Sequence, residues 1–182
     1  MSEDPFTLDE LYRAIELHLV NQLPGVKAVT AWPDVKDRIA LPAVFLEMVE
    51  MEPGTDIGTG ETTLVCRFEA RIIVDPIRPR HCQQAAQLAA QLAVLLRMQT
   101  WGVAVQPAEF VQAMQDWTKP ELDGYTVWVV EWTHTLYLGI EDWPWPDEPP
   151  GSLLFGFNDD KKPEFIPPES LPLATQAVSM TA

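Results

Sequence analysis

The stretch from Tyr125 to Leu138 constrains the fold more than any other part of the sequence, because its side chains alternate strictly between two faces. That period of two is the pattern of a β-strand. One face presents Trp128, Val130, Trp132, His134, Leu136 and Leu138, and the other presents Tyr125, Val127, Val129, Glu131, Thr133, Thr135 and Tyr137. The sequence therefore predicts a long strand with an apolar, tryptophan-rich face.

A second alternating stretch runs from Glu61 to Asp75. Its apolar face carries Cys66 and Phe68, and its polar face carries Arg67, Glu69 and Arg71, which predicts a half-buried strand with one solvated side. Residues 43–51 predict the strand before it. The loop from Glu52 to Glu61 holds three glycines and one proline and is longer than a tight turn requires.

Two helices flank this hairpin in the sequence. Thr7 and Glu10 have the spacing of a capping box, and leucines, Tyr12 and Ile15 then recur at intervals of three and four until Pro24-Gly25. An alanine- and leucine-rich stripe predicts a second helix over residues 80–99. Shorter strands are predicted at 26–32 and 102–105, residues 108–117 fit either a strand or a short helix, and residues 120–124 predict a turn.

The resulting order α-β-β-β-α-β-β predicts an α+β fold, a two-layer sandwich of a mostly antiparallel sheet with two helices on one face. We expect this domain to span residues 1–140. Residues 141–182 hold 8 of the 17 prolines and 8 acidic residues, against only Lys161 and Lys162. Such a segment cannot propagate a helix or a central strand, so we expect a Pro-rich extended C-terminal arm.

Trp143 and Trp145 are the most unusual local feature of that arm. They either close the edge of their own domain's core or anchor the arm in pockets of a neighbouring subunit, and the sequence favours neither interpretation. The second interpretation is considered because tryptophan is enriched among the residues that dominate interface energetics.

The formal net charge of -15 excludes several classes of partner. It argues against a nucleic acid held by a basic surface and against docking on anionic lipid. We expect no membrane association, since no apolar stretch reaches the roughly 20 residues that a spanning helix needs. The acidic N-terminus does not resemble a signal peptide, and two cysteines do not make a disulfide framework, so we expect a cytosolic protein with free thiols.

No pattern of catalytic or ligand-binding residues is present in the sequence. Zinc-ligand spacing, a Walker loop, a dinucleotide fingerprint and a nucleophile elbow are all absent, so we expect neither an enzyme nor a cofactor. Glu50 and Glu52 are expected to share a strand face while Glu47 points to the other. His134 is expected to be a packed or hydrogen-bonded histidine.

Five segments together resemble the tail terminator, or tail completion, proteins of long-tailed bacteriophages, especially those of Mu-like phages and prophages. They are Leu11-Tyr-Arg-Ala-Ile15, Leu23-Pro-Gly25, Pro42-Ala-Val-Phe-Leu-Glu47, Arg67-Phe-Glu-Ala-Arg-Ile-Ile73 and Asp123–Gly139. The resemblance covers about residues 7–139. It rests on the order of the helices and strands and on these short local segments of sequence.

The resemblance implies a structural virion protein at the neck end of the tail, present in the host cytoplasm during assembly. Such a protein forms a closed ring, a hexamer in the usual case, on the last ring of the tail tube protein and ends polymerisation. It offers a surface to head-completion or connector proteins, and to the sheath protein if the tail is contractile. DNA passes through the lumen without specific binding, which the acidic balance fits.

A cyclic ring needs two different patches on each subunit. The candidate patches are the polar sheet face (Arg67, Glu69, Arg71 and Glu131), the solvent side of helix 80–99, the loop residues Asp56 and Ile57, and Trp143 with Trp145 in the arm. The alternatives are another neck or tail-tube component, a small α+β enzyme or ligand-binding domain, and a host-directed binding domain whose Pro-rich tail acts as a peptide ligand.

Overall fold

The computed structural model describes residues 6–31 and 40–140. Seven helices and strands follow the predicted order. They are α1 (Leu8–Gln22), β1 (Ala28–Ala31), β2 (Ala43–Pro53), β3 (Thr62–Val74), α2 (His81–Leu95), β4 (Glu109–Gln115) and β5 (Thr126–Leu138), with a short 3₁₀ helix (Pro120–Leu122) between β4 and β5. Trp143 and Trp145 lie outside the described residues.

The five strands form one sheet in the order β1-β2-β3-β5-β4. Only the β1–β2 pair is parallel, and every other neighbouring pair is antiparallel. The two longest strands, β3 and β5, lie next to each other inside the sheet. The predicted two-layer α+β sandwich is confirmed.

The capping box of α1 is present. The Thr7 hydroxyl accepts a hydrogen bond from the Glu10 backbone N–H at 3.4 Å, and the Glu10 carboxylate accepts one from the Thr7 N–H at 3.0 Å. These bonds satisfy donors that the first turn of a helix otherwise leaves unpaired. The sequence signal for the start of α1 is therefore confirmed at the atomic level.

Both helices lie on the same side of the sheet, over the apolar faces of β3 and β5. Phe68 and Trp132 are fully buried there and stack with ring centroids 5.7 Å apart. The helices contribute Leu11, Ile15 and Leu19 from α1 and Ala85, Leu88, Ala89 and Leu92 from α2. The alternation of β5 thus predicted the correct buried face.

The strand predicted at residues 102–105 is wrong, because this segment is a series of turns and bends. Trp101 and Gly102 follow each other with φ values of 58° and 77°, a left-handed course that no strand adopts. Trp101 and Val105 are nevertheless buried and belong to the core. The ambiguous segment after it resolves into β4.

A β-bulge in β2 overturns the predicted facing of Glu47. The register with β3 shifts between Met48 and Glu50, so the strand gains one residue at that point. Glu47 therefore lies opposite Glu69 and Glu50 lies opposite Arg67, both on the polar side of β3. Strict alternation places Glu47 on the opposite side from Glu50, and the extra residue brings the two together.

His134 is a buried, hydrogen-bonded histidine, as expected. Its Nε2 accepts a hydrogen bond from Trp101 Nε1 at 2.7 Å, so the proton lies on Nδ1, which donates to the Gln106 carbonyl oxygen at 2.8 Å. Burial lowers the pKa of His134 and outweighs the opposing effect of the Gln106 hydrogen bond. The ring thus connects β5 to the irregular segment before β4.

Within residues 6–31 and 40–140, no helix combines the length and the apolar character required to cross a membrane. In the same ranges, no three His, Cys, Asp or Glu side chains come together in a way that could hold a metal ion.

Candidate assembly surface

The side of the sheet opposite the helices, called the open face here, carries the polar residues that the sequence singled out. Arg67, Glu69 and Arg71 follow one another at every second position of β3, and Glu131 of β5 lies directly opposite Glu69. The structure therefore brings all four predicted residues together on one face.

Arg71 is the centre of this face, and it is buried rather than solvated. Its Nε donates to Asp116 Oδ2 at 2.8 Å, its Nη1 donates to Glu47 Oε2 at 2.8 Å, and its Nη2 donates to Glu69 Oε2. Only 6% of Arg71 is exposed. Lys119 joins through Glu47 at 3.1 Å. These five residues are called the Arg71 network.

The Arg71 network fixes the chain where it leaves β4. Both the backbone N–H and the hydroxyl of Thr118 donate to Asp116 Oδ1, at 2.9 and 2.7 Å. Asp116 is in turn bonded to Arg71, and Lys119 to Glu47. Residues 116–119 are therefore held against the sheet from both ends of the segment.

The pKa shifts in the Arg71 network follow from these contacts. Burial alone would raise the pKa of Asp116, but hydrogen bonds from Thr118 and from Arg71, together with the Arg71 charge, hold it below its usual range. Burial alone would lower the pKa of Arg71, but the Asp116 hydrogen bond and the three carboxylates raise it. Each partner thus stabilises the charged form of the other.

The remaining two predicted residues of the open face differ in accessibility. Glu131 is buried and accepts a hydrogen bond from Gln112 Nε2 of β4 at 2.9 Å. Arg67 pairs with Glu50 at 3.1 Å, and 42% and 43% of the two side chains are exposed. The Arg67–Glu50 pair is therefore open to a partner on both sides, whereas in the Lys119–Glu47 pair mainly the lysine is exposed.

Asp56 and Ile57 lie in the exposed loop between β2 and β3. The Asp56 carboxylate accepts a hydrogen bond from the Gly58 backbone N–H at 2.8 Å, which closes a local turn. Ile57 follows it with 49% of its surface exposed. The loop thus presents an apolar side chain on a short turn of defined shape.

The solvent side of α2 is mostly polar and carries one large apolar residue. Gln83 and Gln87 are exposed there, and Val94 near the end of the helix is 74% exposed. This surface contains no buried charge or close polar contact that would point to a ligand within the described part of the chain.

Sequence reasoning missed three members of the Arg71 network. Asp116 lies 45 positions from Arg71 and Glu47 lies 24 positions away, so neither is near it in the sequence. Glu47 was misplaced by the bulge, and Asp116 ends a segment that was ambiguous. No signal in the sequence pointed to these partners, because the alternation of β3 predicted a solvated face for Arg71.

No protein-family model matches the chain, and none of the curated proteins matches it. Among solved structures, 21 chains match. One is the sheath/tube terminator of an extracellular contractile injection system (PVC), determined by cryo-EM in the extended state. The match has a TM-score of 0.51 and 10% sequence identity, and it covers 92% of this chain and 68% of that chain. At this identity, the likeness shows that the two chains share a fold.

Proposed function

We propose that this chain is a structural tail terminator, which caps the end of a tail tube and stops its growth. The observation that carries the proposal is the shared fold with a sheath/tube terminator over 92% of this chain. The sequence resemblance to tail terminator proteins of Mu-like phages points to the same role. A fold alone does not fix a function, so the proposal depends on how the surfaces assemble.

The proposed assembly is a closed ring of identical subunits, with six as the expected number. One side of the ring binds the last ring of the tail tube protein and, in a contractile tail, the sheath protein. The other side binds head-completion or connector proteins. Because the second side does not resemble a tube subunit, it cannot template another layer of tube, and growth stops.

The chemistry of the open face supports a structural rather than a catalytic role. The titratable groups with shifted pKa on this face, Arg71 and Asp116, bond to each other and to Thr118. Their charges thus contribute to the architecture of β3 and β4. The acidic composition is compatible with a lumen through which DNA slides without binding specifically.

The test is electron microscopy of tails assembled in the absence of this protein. We expect headless tails with abnormally long tubes, restored to normal length when the wild-type chain is supplied in trans. Tails of normal length joined to heads without the protein would refute the assignment.

The purified protein separates the proposal from the alternative that the chain is a tail-tube subunit. A terminator stops at a closed ring, whereas a tube subunit forms long polymers on its own. Negative-stain images of the concentrated protein should therefore show rings of one size. Long tubes would favour the alternative.

A further inference from the structure

The sheet ends in two edge strands. β4 is the last strand on one side and β1 is the last strand on the other. In the part of the chain that the structure describes, no strand pairs with the outer side of either one. An unpaired edge is a template for another chain, so proteins usually protect it with charged residues, proline or a covering segment.

The backbone of β4 offers outward-facing hydrogen-bonding groups. The Asp116 N–H donates inward to the Val127 carbonyl of β5 at 3.0 Å. Because successive residues of a strand point to opposite sides, the backbone groups of Gln115 and Ala113 face outward. On β1 the Lys27 N–H donates inward to Pro42 at 2.8 Å, so the groups of Ala28 and Thr30 face outward.

Three side chains of β4, and Trp117 two residues after it, are large, apolar and exposed where an edge strand is usually charged. The large apolar residues exposed along this edge are Phe110 (50%), Val111 (45%), Met114 (45%) and Trp117 (74%). Glu109 is the only charged residue of β4. Trp117 lies between Asp116 and Thr118, which the Arg71 network holds in place. An exposed tryptophan on a fixed backbone has the character of an interface anchor.

We propose that β4 of one subunit pairs with β1 of the next, so that the sheets of the ring join edge to edge. This inference rests on the proposed function, because it specifies the contact that closes the ring. The two strands run in opposite directions within one sheet, since β1 is parallel to β2 and every later pairing is antiparallel. Rotation about an axis along the strands therefore brings them together as an antiparallel pair.

The strand that pairs with the free edge of β4 is β1 of a second copy rather than a second β4, for two reasons. Pairing β4 with β4 stops at a dimer and leaves β1 unpaired, whereas β4 with β1 uses both edges and closes a ring. Charge complementarity is the second reason. An antiparallel pair brings exposed Lys27, just before β1, to the end of β4, where exposed Glu121 and Asp123 follow.

The flank of α1 beside β1 adds apolar surface to this contact. Glu16 of α1 accepts a hydrogen bond from the Ala31 N–H at the end of β1, so this part of α1 lies beside β1. Val20, four residues later on the same flank, is 54% exposed. The neighbouring subunit's β4 edge, with Trp117 at its end, would cover it.

Two complementary proline variants of the full-length chain test the pairing. Gln115→Pro removes an outward N–H from β4 and leaves β1 intact, whereas Thr30→Pro does the same on β1 and leaves β4 intact. Proline is tolerated on the outer side of an edge strand. Each variant alone should lose the ring and sediment as a monomer. An equimolar mixture should give a 1:1 heterodimer, because one usable β4 meets one usable β1.

The matched controls are Gln115→Ala and Thr30→Ala, which keep the N–H and should form rings like the wild type. The β4–β1 pairing is overturned if either proline variant still forms rings, or if the mixture gives no heterodimer. It is also overturned in favour of β4–β4 pairing if Thr30→Pro dimerises alone. None of these results counts against the terminator role, which the length of tails assembled without the protein tests independently.

A charge exchange tests the same contact without altering the backbone. Lys27→Glu should weaken ring association by about tenfold, and adding Glu121→Lys with Asp123→Lys in the same chain should restore it. Unchanged association in the single variant, or no restoration in the triple variant, would contradict the antiparallel arrangement even if a proline variant fails to fold.

Discussion

Arg71 shows how one buried side chain determines what the open face can do. Its guanidinium satisfies three carboxylates from β2, β3 and the end of β4. In the Arg71 network, charged side chains of this face therefore pair with one another within the subunit. The Arg67–Glu50 pair and the Lys119 side chain remain accessible to a partner.

We predict that Arg71→Met destabilises the protein by about 3 kcal/mol, because it leaves the buried Asp116 and the partly buried Glu69 without their cation. Arg67→Met is the control, since it removes a half-exposed pair and should cost less than about 1 kcal/mol. Urea unfolding at neutral pH measures both free energies. Equal costs for the two variants would show that burial of the Arg71 network does not matter energetically.

The difference in unfolding free energy between wild type and Arg71→Met depends on pH in a defined direction. The pKa of Asp116 lies below its ordinary value of 3.8 in the folded state, so its contribution is present above that value and is lost as pH falls through the folded pKa. The difference in unfolding free energy between wild type and Arg71→Met should therefore shrink in acid. A difference that stays constant down to about pH 2 would contradict this account.

His134 gives a prediction in a different pH range. Its folded pKa lies below the ordinary value of 6.5, so the unfolded chain binds the proton first and stability falls as pH drops below that value. His134→Gln can keep both hydrogen bonds, with its carbonyl accepting from Trp101 and its amide donating to Gln106. The variant should therefore show a flatter stability profile than wild type between about pH 7 and pH 5.

The measurement for His134 is thermal or urea unfolding across that pH interval. The other two histidines are present in both proteins, so the difference between the profiles isolates His134. Parallel profiles would mean that the neutral ring and its two hydrogen bonds do not cause the acid sensitivity.

At the level of elements, the sequence predicted what depends on local periodicity. The capping box located the start of α1, and the alternation of β3 and β5 identified the buried faces of both strands. The facing of Glu47 and the strand at 102–105 were wrong because they depend on contacts remote in sequence. A bulge is set by pairing with β3, and a left-handed turn at Trp101 is set by its packing against His134 and Trp132.

The loop between β2 and β3 can be shortened to test whether it contacts the tube or the adjacent subunit. Replacing Asp56–Glu61 with a two-residue Asn-Gly turn should leave the fold intact, because Thr55 and Thr62 then flank the turn in the register that already pairs Pro53 with Leu64. The exposed Ile57 would be lost, and we expect assembly with the tube or the adjacent subunit to weaken. Ile57→Ala in the full-length loop separates the side chain from the loop length.

Tail completion and melting temperature are the two measurements for the loop. A shortened protein that melts like wild type but leaves tails incomplete supports a contact role. Normal completion by the shortened protein would mean that the loop only connects β2 to β3.

At the level of the whole molecule, the interior and the surfaces have different origins. The shared fold at 10% identity shows that different residues can build the same two layers. The spacing of apolar residues, which indicates the buried face of each helix and strand, therefore predicted the architecture. The candidate site was predicted only in part. Which exposed residues belong to an assembly surface depends on the partner that covers them. Phe110, Met114 and Trp117 have no signature in the sequence that separates them from core residues.

The arm supplies the last prediction, because it holds large apolar side chains within a Pro-rich, acidic segment. We propose that Trp143 and Trp145 anchor it in a neighbouring subunit or neck protein. A buried tryptophan anchor contributes on the order of 2 kcal/mol at an interface, which corresponds to a loss of about 30-fold in affinity when it is removed. Trp143→Ala with Trp145→Ala should therefore weaken ring or neck association while the monomer still melts cooperatively. Phe157→Ala with Phe165→Ala tests whether the effect is specific to the tryptophans. If the tryptophan variant instead unfolds the domain, and assembly fails only for that reason, these side chains stabilise their own subunit and the interface interpretation is wrong.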